Sequence, residues 1–208
     1  MIKDKDNLLI REFQTQDLSQ VAYILASSFR EMYLKIVKLP EEEMANFAIE
    51  TGEVSPYAYP GYIVAEEKGE ILGVIMLSWF KQEKPKVATK LSKIFYYGFI
   101  TAVKLLIMRF LFPEKPKRGA CHVSVIAVLE KARGKGVATA LLEQGRKVAL
   151  ANGFNKYTLN VDASNKNASR LYHKMGFRIE KRYRNLIARW ILDEKEWYFM
   201  SQNLGTFA

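Results

Sequence analysis

Hydrophobic and polar positions switch between two periods along this chain, and each switch marks an element. Leu8-Leu-Ile-Arg-Glu-Phe13 reads as a first strand. Leu18, Val21, Ala22, Leu25 and Phe29 then recur at the three- and four-residue spacing of one helix face, with Thr15 or Asp17 placed to cap that helix. Helical patterning continues through residues 30–50 and is broken at Pro40, where Glu41, Glu42 and Glu43 suit the positive end of a new helix. Tyr62–Glu66 and Ile71–Trp79, joined around Lys68 and Gly69, predict a tight hairpin. A fourth strand is predicted over Cys121–Val128, followed by a glycine-bearing turn and a helix that ends near Gly153. Tyr157–Asp162 makes a fifth strand, Leu159 and Val161 alternating against Asn160 and Asp162. A helix over about Lys166–Met175 stops at Gly176, and strands Phe177–Tyr183 and Glu196–Gln202 complete the chain. Between them, Leu186, Ile187, Trp190 and Ile191 fit a helix turn and a hairpin extension equally.

Residues 81–118 interrupt this alternation. Basic linkers at Lys84-Pro85-Lys86 and Lys115–Arg118 flank an apolar stretch, 94–112, that predicts a helix. It is not a membrane span: Lys104 and Arg109 break it, and its longest charge-free run, Ile94–Val103, has ten residues where about twenty are needed. Three roles stay open for it. It packs on the fold and roofs a binding site, or it lies on a membrane surface helped by the flanking lysines, or it forms a dimer contact, so monomer and homodimer both remain.

Composition narrows the class. With 208 residues, 49% of them apolar, the chain can fill one sizeable core, which predicts a single domain over 1–208, structured over about 8–203, with an insertion at about 81–118. The single cysteine, Cys121, excludes an internal disulfide and reads as a small buried apolar residue in a reducing compartment; no spacing suggests a metal site. The charged start leads into no long apolar run, so no secretory signal is read and a cytoplasmic location is expected. A net charge of +10 favours a polyanionic ligand. No basic, aromatic-interleaved motif of a nucleic-acid fold accompanies it, and no nucleic-acid partner is expected.

Chemistry concentrates in Val123–Leu142, where an apolar strand runs through a short charged turn into Gly134, Gly136 and a helix. Such a turn aims several backbone N–H groups at one point with the positive helix end behind them, which suits a phosphate. The two glycines clear side chains from the ligand's path, and Arg133 and Lys135 add charge at the mouth, so a pyrophosphate is the expected guest. Two common phosphate fingerprints are ruled out: G-x-x-x-x-G-K-[ST] is absent, and G-x-G-x-x-G fails at Thr139.

The turn resembles the acetyl-CoA motif [QR]-x-x-G-x-[GA] of the GNAT superfamily of N-acetyltransferases, met by Arg133, Gly136 and Ala138. Residues 165–177 resemble that family's later motif, N-x-x-A-x-x-L-Y-x-K-x-G-F, met at Asn165, Ala168, Leu171, Tyr172, Lys174, Gly176 and Phe177. The resemblance covers nearly the whole chain outside residues 81–118. It implies an α/β (α+β) GNAT fold: a mixed sheet of six to seven strands, splayed between the fourth and fifth and flanked by helices, with the helical insertion between the third and fourth. It implies acetyl-CoA as acetyl donor, CoA as product, no metal, and a primary amine as acceptor, which attacks in a ternary complex. The acceptor itself stays open among small-molecule amines, protein N-termini and lysine side chains.

By the same resemblance, the backbone of Ile126, Ala127 and Val128 holds the pantetheine arm, with the Ile126 N–H at the thioester oxygen. The N–H groups from Arg133 through Gly134, Lys135, Gly136, Val137 and Ala138 to Thr139 hold the diphosphate. Tyr172 protonates the leaving thiolate, a reasonable task for a phenol of pKa near 10. Asn165 bonds the cofactor arm or simply caps its helix. Strand alternation places His122, Ser124, Ile126 and Val128 on one face. His122 stands where histone-type members of the family carry a catalytic Glu and serotonin N-acetyltransferase a His, so it is a candidate base, directly or through water held by Ser124. Deprotonation by water alone stays open, and so do two other readings: a catalytically silent CoA-binding module and an enzyme using a different acyl-CoA.

Overall fold

The run Ile71–Leu77 has no polar position with which to alternate, because helices cover both faces of the strand it forms. In the computed structural model, which describes residues 7–85, 91–111, 117–184 and 196–205, that strand lies third in a seven-stranded sheet. Strands β1 (Leu9–Glu12), β2 (Tyr62–Glu67), β3 (Glu70–Trp79), β4 (Ala120–Val128), β5 (Lys156–Asp162), β6 (Arg178–Tyr183) and β7 (Trp197–Asn203) are ordered β1-β2-β3-β4-β5-β7-β6. Neighbours pair antiparallel except β4 and β5, which are parallel, so the sheet is mixed as the sequence predicts.

The helices are α1 (Leu18–Ser28), α2 (Arg30–Ile36), α3 (Glu41–Glu50), α4 (Leu91–Tyr96), α5 (Phe99–Leu111), α6 (Val137–Ala151) and α7 (Lys166–Lys174). Successive residues of β3 feed two cores. Val74 and Met76 join Val21, Ile24 and Phe47 of α1 and α3, whereas Ile75 and Leu77 join Leu141 and Leu142 of α6. Each fully buried side chain of this size contributes about 2 kcal/mol through removal from water.

Two local expectations are corrected. Asp17 precedes α1 without capping it: its carboxylate accepts both Nη groups of Arg11, at 2.6 and 2.8 Å, and the Gln14 N–H at 2.8 Å. Thr15 begins a short 3-10 turn instead of a cap. The expected single helix over 94–112 is two. Gly98, at φ +101°, leaves the helical region, so α4 ends at Tyr96 and α5 starts at Phe99.

The insertion packs on the first core through Ile94, Ala102 and Leu105. Its polar contacts reach α3, where the Tyr97 hydroxyl donates to the Glu50 carboxylate at 3.0 Å, and the end of α2, whose last carbonyls lack helical partners. The Thr101 hydroxyl donates to the Ile36 carbonyl at 3.5 Å, and Lys104 Nζ donates to the Lys35 carbonyl at 2.6 Å. Among the described residues, no helix is long and apolar enough to cross a membrane. The ambiguous stretch around Leu186–Ile191 lies outside the described residues.

Candidate active site

The parallel pair is where the sheet opens. β4 and β5 pair only from Ala120 with Lys156 to Val123 with Leu159, after which Ser124–Val128 and Asn160–Asp162 part company. At the same level the β3–β4 register shifts, Met76 facing Val125 and Leu77 facing Val123, which leaves Ser124 as an extra residue in β4. A bulge of this kind bends the strand and re-aims the residues beyond it. The Leu129 N–H donates to the Leu72 carbonyl at 2.9 Å, so alternation turns the peptide groups of Ala127 to β3 and those of Ile126 and Val128 to the open gap. Ala127, grouped with its neighbours on sequence grounds, therefore spends its peptide groups on the sheet, and its methyl lies in the first core.

The bulge also overturns the expected shared face. Cys121 and Val123 belong to the second core, and beyond the bulge Ile126 and Val128 pack against that same core. His122 and Ser124 lie on the opposite side. There the His122 Nδ1 is 2.9 Å from the Thr158 hydroxyl, its ring stacks on Phe199 with centroids 6.4 Å apart, and the Ser124 hydroxyl is 2.6 Å from that of Ser78. Neither Thr158 nor Ser78 was legible as a partner, since each arrives from another strand.

The glycine turn lies at the end of β4. Glu130–Ala132 form a short 3-10 turn, Gly134 takes φ +75° and Gly136 φ +88°, and α6 begins at Val137. A Cβ at either glycine would meet nothing within 4 Å, so the backbone there is open to a ligand; it is the left-handed φ that selects glycine. The N–H groups of Val137, Ala138 and Thr139 are first-turn donors without helical acceptors. Two of the expected donors are used locally: the Arg133 N–H goes to the Glu130 carbonyl at 3.1 Å and the Lys135 N–H to the Ala132 carbonyl at 3.4 Å. Arg133 and Lys135 thus offer side chains rather than peptide groups, with Arg133 Nε 3.4 Å from the Val128 carbonyl that borders the gap. Gly73, unnoticed in the sequence, sets the height of α6. A Cβ there would stand 2.9 Å from the Ala127 carbonyl and 3.1 Å from side-chain atoms of Val137 and Leu141.

Tyr172 and Asn165 come from α7. Tyr172 is buried in the second core, its ring 6.0 Å from that of Phe177. Burial pushes its phenol up to about 12, so it stays protonated at neutral pH. Asn165 is the cap of α7, its Oδ1 accepting the Ala168 N–H at 3.0 Å, which leaves its amide NH2 for another acceptor. The phenol and His122 therefore approach β4 from opposite faces of the sheet. Among the described residues, no three His, Cys, Asp or Glu side chains gather as a metal site.

The sheet splays beside a glycine turn at a helix N-terminus, and comparison with known proteins assigns the class of the chain. The acetyltransferase (GNAT) family pattern matches residues 22–177, and the chain belongs to that family. It is 33% identical over 145 residues, 69% of each chain, to an N-alpha-acetyltransferase of Sulfurisphaera tokodaii. In fold it is similar to Ard1 from Thermoplasma volcanium, with TM-score 0.58 and 19% identity over 95% of this chain and 97% of that one. It is also similar in fold to the PaiA N-acetyltransferase of Thermoplasma acidophilum solved in complex with coenzyme A, with TM-score 0.55 and 13% identity over 94% and 98%. The family and these relatives support an acyltransferase.

Proposed function

We propose that this chain transfers an acetyl group from acetyl-CoA to a primary amine, the α-amine of a peptide, by direct attack within a ternary complex. One observation carries the reading: β4 parts from β5 beyond Val123 and Leu159, next to a glycine turn whose backbone is open. Free peptide groups on one side of a slot and unshared helix donors at its end fit an extended amide-bearing arm that ends in a diphosphate. When bound, acetyl-CoA supplies an activated acyl group on sulfur.

The chain's own residues divide the remaining work. The N–H groups of Gly134, Gly136, Val137, Ala138 and Thr139 hold the diphosphate, with Arg133 and Lys135 adding charge. Ile126 and Val128 hold the arm, with the Asn165 NH2 bonding it. Tyr172 holds the proton that the departing sulfur needs. Its raised pKa is compatible with that task, since a thiolate formed in the same desolvated gap is also a stronger base than in water. His122, oriented by Thr158 and near Ser124, accepts the amine's proton from the other face. The acceptor accordingly enters from the side of α1–α3, and the name of the Sulfurisphaera relative favours a peptide α-amine.

Release of free thiol from acetyl-CoA tests this directly, with peptides bearing a free N-terminus, N-blocked lysine peptides and small polyamines as acceptors. Release with free N-termini supports the proposal. Release only with lysine or polyamine moves the acceptor class, release only from another acyl-CoA moves the donor, and none with any acceptor leaves a CoA-binding module.

A further inference from the structure

Residues 81–118 hold ten Lys and Arg against two Asp and Glu, so eight of the chain's ten net positive charges fall in this insertion and not at the glycine turn. Both ends of it meet in space: Lys81 Nζ lies 5.9 Å and Arg118 Cζ 5.0 Å from the centre of the exposed Phe80 ring. Between these ends, the insertion is apolar on two sides. One side, through Ala102 and Leu105, belongs to the first core. The other is in water: Tyr96 is 81% exposed, Phe99 and Ile100 71% each, and Phe95 51%. Solitary exposed apolar residues are ordinary, whereas a set gathered on two adjoining helices, with the Phe95 and Phe99 rings 6.5 Å apart, calls for an occupant.

We propose that the α4–α5 insertion docks this protein on an anionic lipid bilayer, the exposed aromatics and Ile100 entering the headgroup boundary while the basic residues meet lipid phosphates. Charge complementarity selects this occupant. A second copy seated on the same patch would set eight positive charges against eight. An RNA would match the charge and could stack bases on the exposed rings, but it has no apolar phase to take up Ile100 and Val103, so it is the competing outcome of the test. Thr101 and Lys104 tie α5 to the end of α2, so docking would fix the orientation of α2 relative to the membrane. This inference does not depend on acetyl transfer.

The full chain is to be sedimented with vesicles of phosphatidylcholine alone and of phosphatidylcholine mixed with phosphatidylglycerol. The expected result is partitioning about tenfold or more stronger onto the anionic vesicles, weakened by salt. The double change Phe99→Ser, Ile100→Ser should lower it about tenfold, with the circular dichroism spectrum and denaturant midpoint retained as proof of folding. Lys81→Glu with Arg118→Glu should lower it comparably. Absence of partitioning, or partitioning that neither pair changes, overturns the proposal. So does a concentration-dependent dimer abolished by the serine pair, or preference for single-stranded RNA over the anionic vesicles in direct competition.

Discussion

The two faces of β4 were built by different means. On the α6 side, the glycine turn and Tyr172 derive from short contiguous segments, each shaped by its own backbone rules. On the α1 side, His122 and Ser124 are held by Thr158, Phe199 and Ser78, brought from three other strands. The contrast teaches that the proposed donor site rests mainly on local structure and the proposed acceptor site on tertiary contacts. Changes on the first face should therefore alter CoA binding or departure of the thiol, and changes on the second should alter use of the amine alone.

The largest effect is expected from Gly136→Glu. It puts a carboxylate and a Cβ at φ +88° where the diphosphate is proposed to sit, so CoA affinity measured by calorimetry should fall more than 10²-fold, with circular dichroism unchanged. Tyr172→Phe sharpens the division: turnover should fall about 10²-fold while CoA affinity changes less than about threefold, the signature of a lost general acid. His122→Ala tests the other face. It should lower turnover about tenfold and leave CoA affinity untouched, whereas equal loss of both would erase the proposed separation between faces.

Smaller effects come from stability, away from either face. Asp17 is buried, which alone would raise its carboxyl, but the Arg11 guanidinium and the Gln14 N–H hold it below the usual carboxylate range. A lowered folded pKa means that the stabilisation is complete above about pH 4 and is lost as pH falls through the folded value. Asp17→Asn should thus cost about 2 kcal/mol in denaturant melts at pH 7, and the gap to wild type should shrink at lower pH. Asn165→Ala, which removes the α7 cap, should cost about 1 kcal/mol and slightly weaken CoA binding.

Much of this was legible in the sequence because its causes are short in range. The strands follow from apolar and aromatic runs such as Ile71–Leu77 and from alternation as in Tyr157–Asp162, and the turn from two glycines before a helix. The bulge at Ser124 was not: Val123, Ser124 and Val125 look like uninterrupted strand, and the shift arises from pairing with Met76 and Leu77 on a strand 46 residues earlier. That one extra residue is why His122 and Ile126, which strand alternation predicts on one face, stand on two. The break in the insertion was visible in principle at Gly98, but apolar residues on both sides mask it, since a helix apolar all round has no face to lose. Gly73 carries no local signal either. Its reason is α6, folded from residues more than sixty positions later.

A crystal structure with CoA bound tests the central claim most directly. Diphosphate density is expected on the N–H groups of Gly136–Thr139, with the arm along Ile126 and Val128 and the sulfur within hydrogen-bond reach of the Tyr172 hydroxyl. Diphosphate density away from the α6 N-terminus, or a sulfur on the far side of β4 from Tyr172, would contradict it.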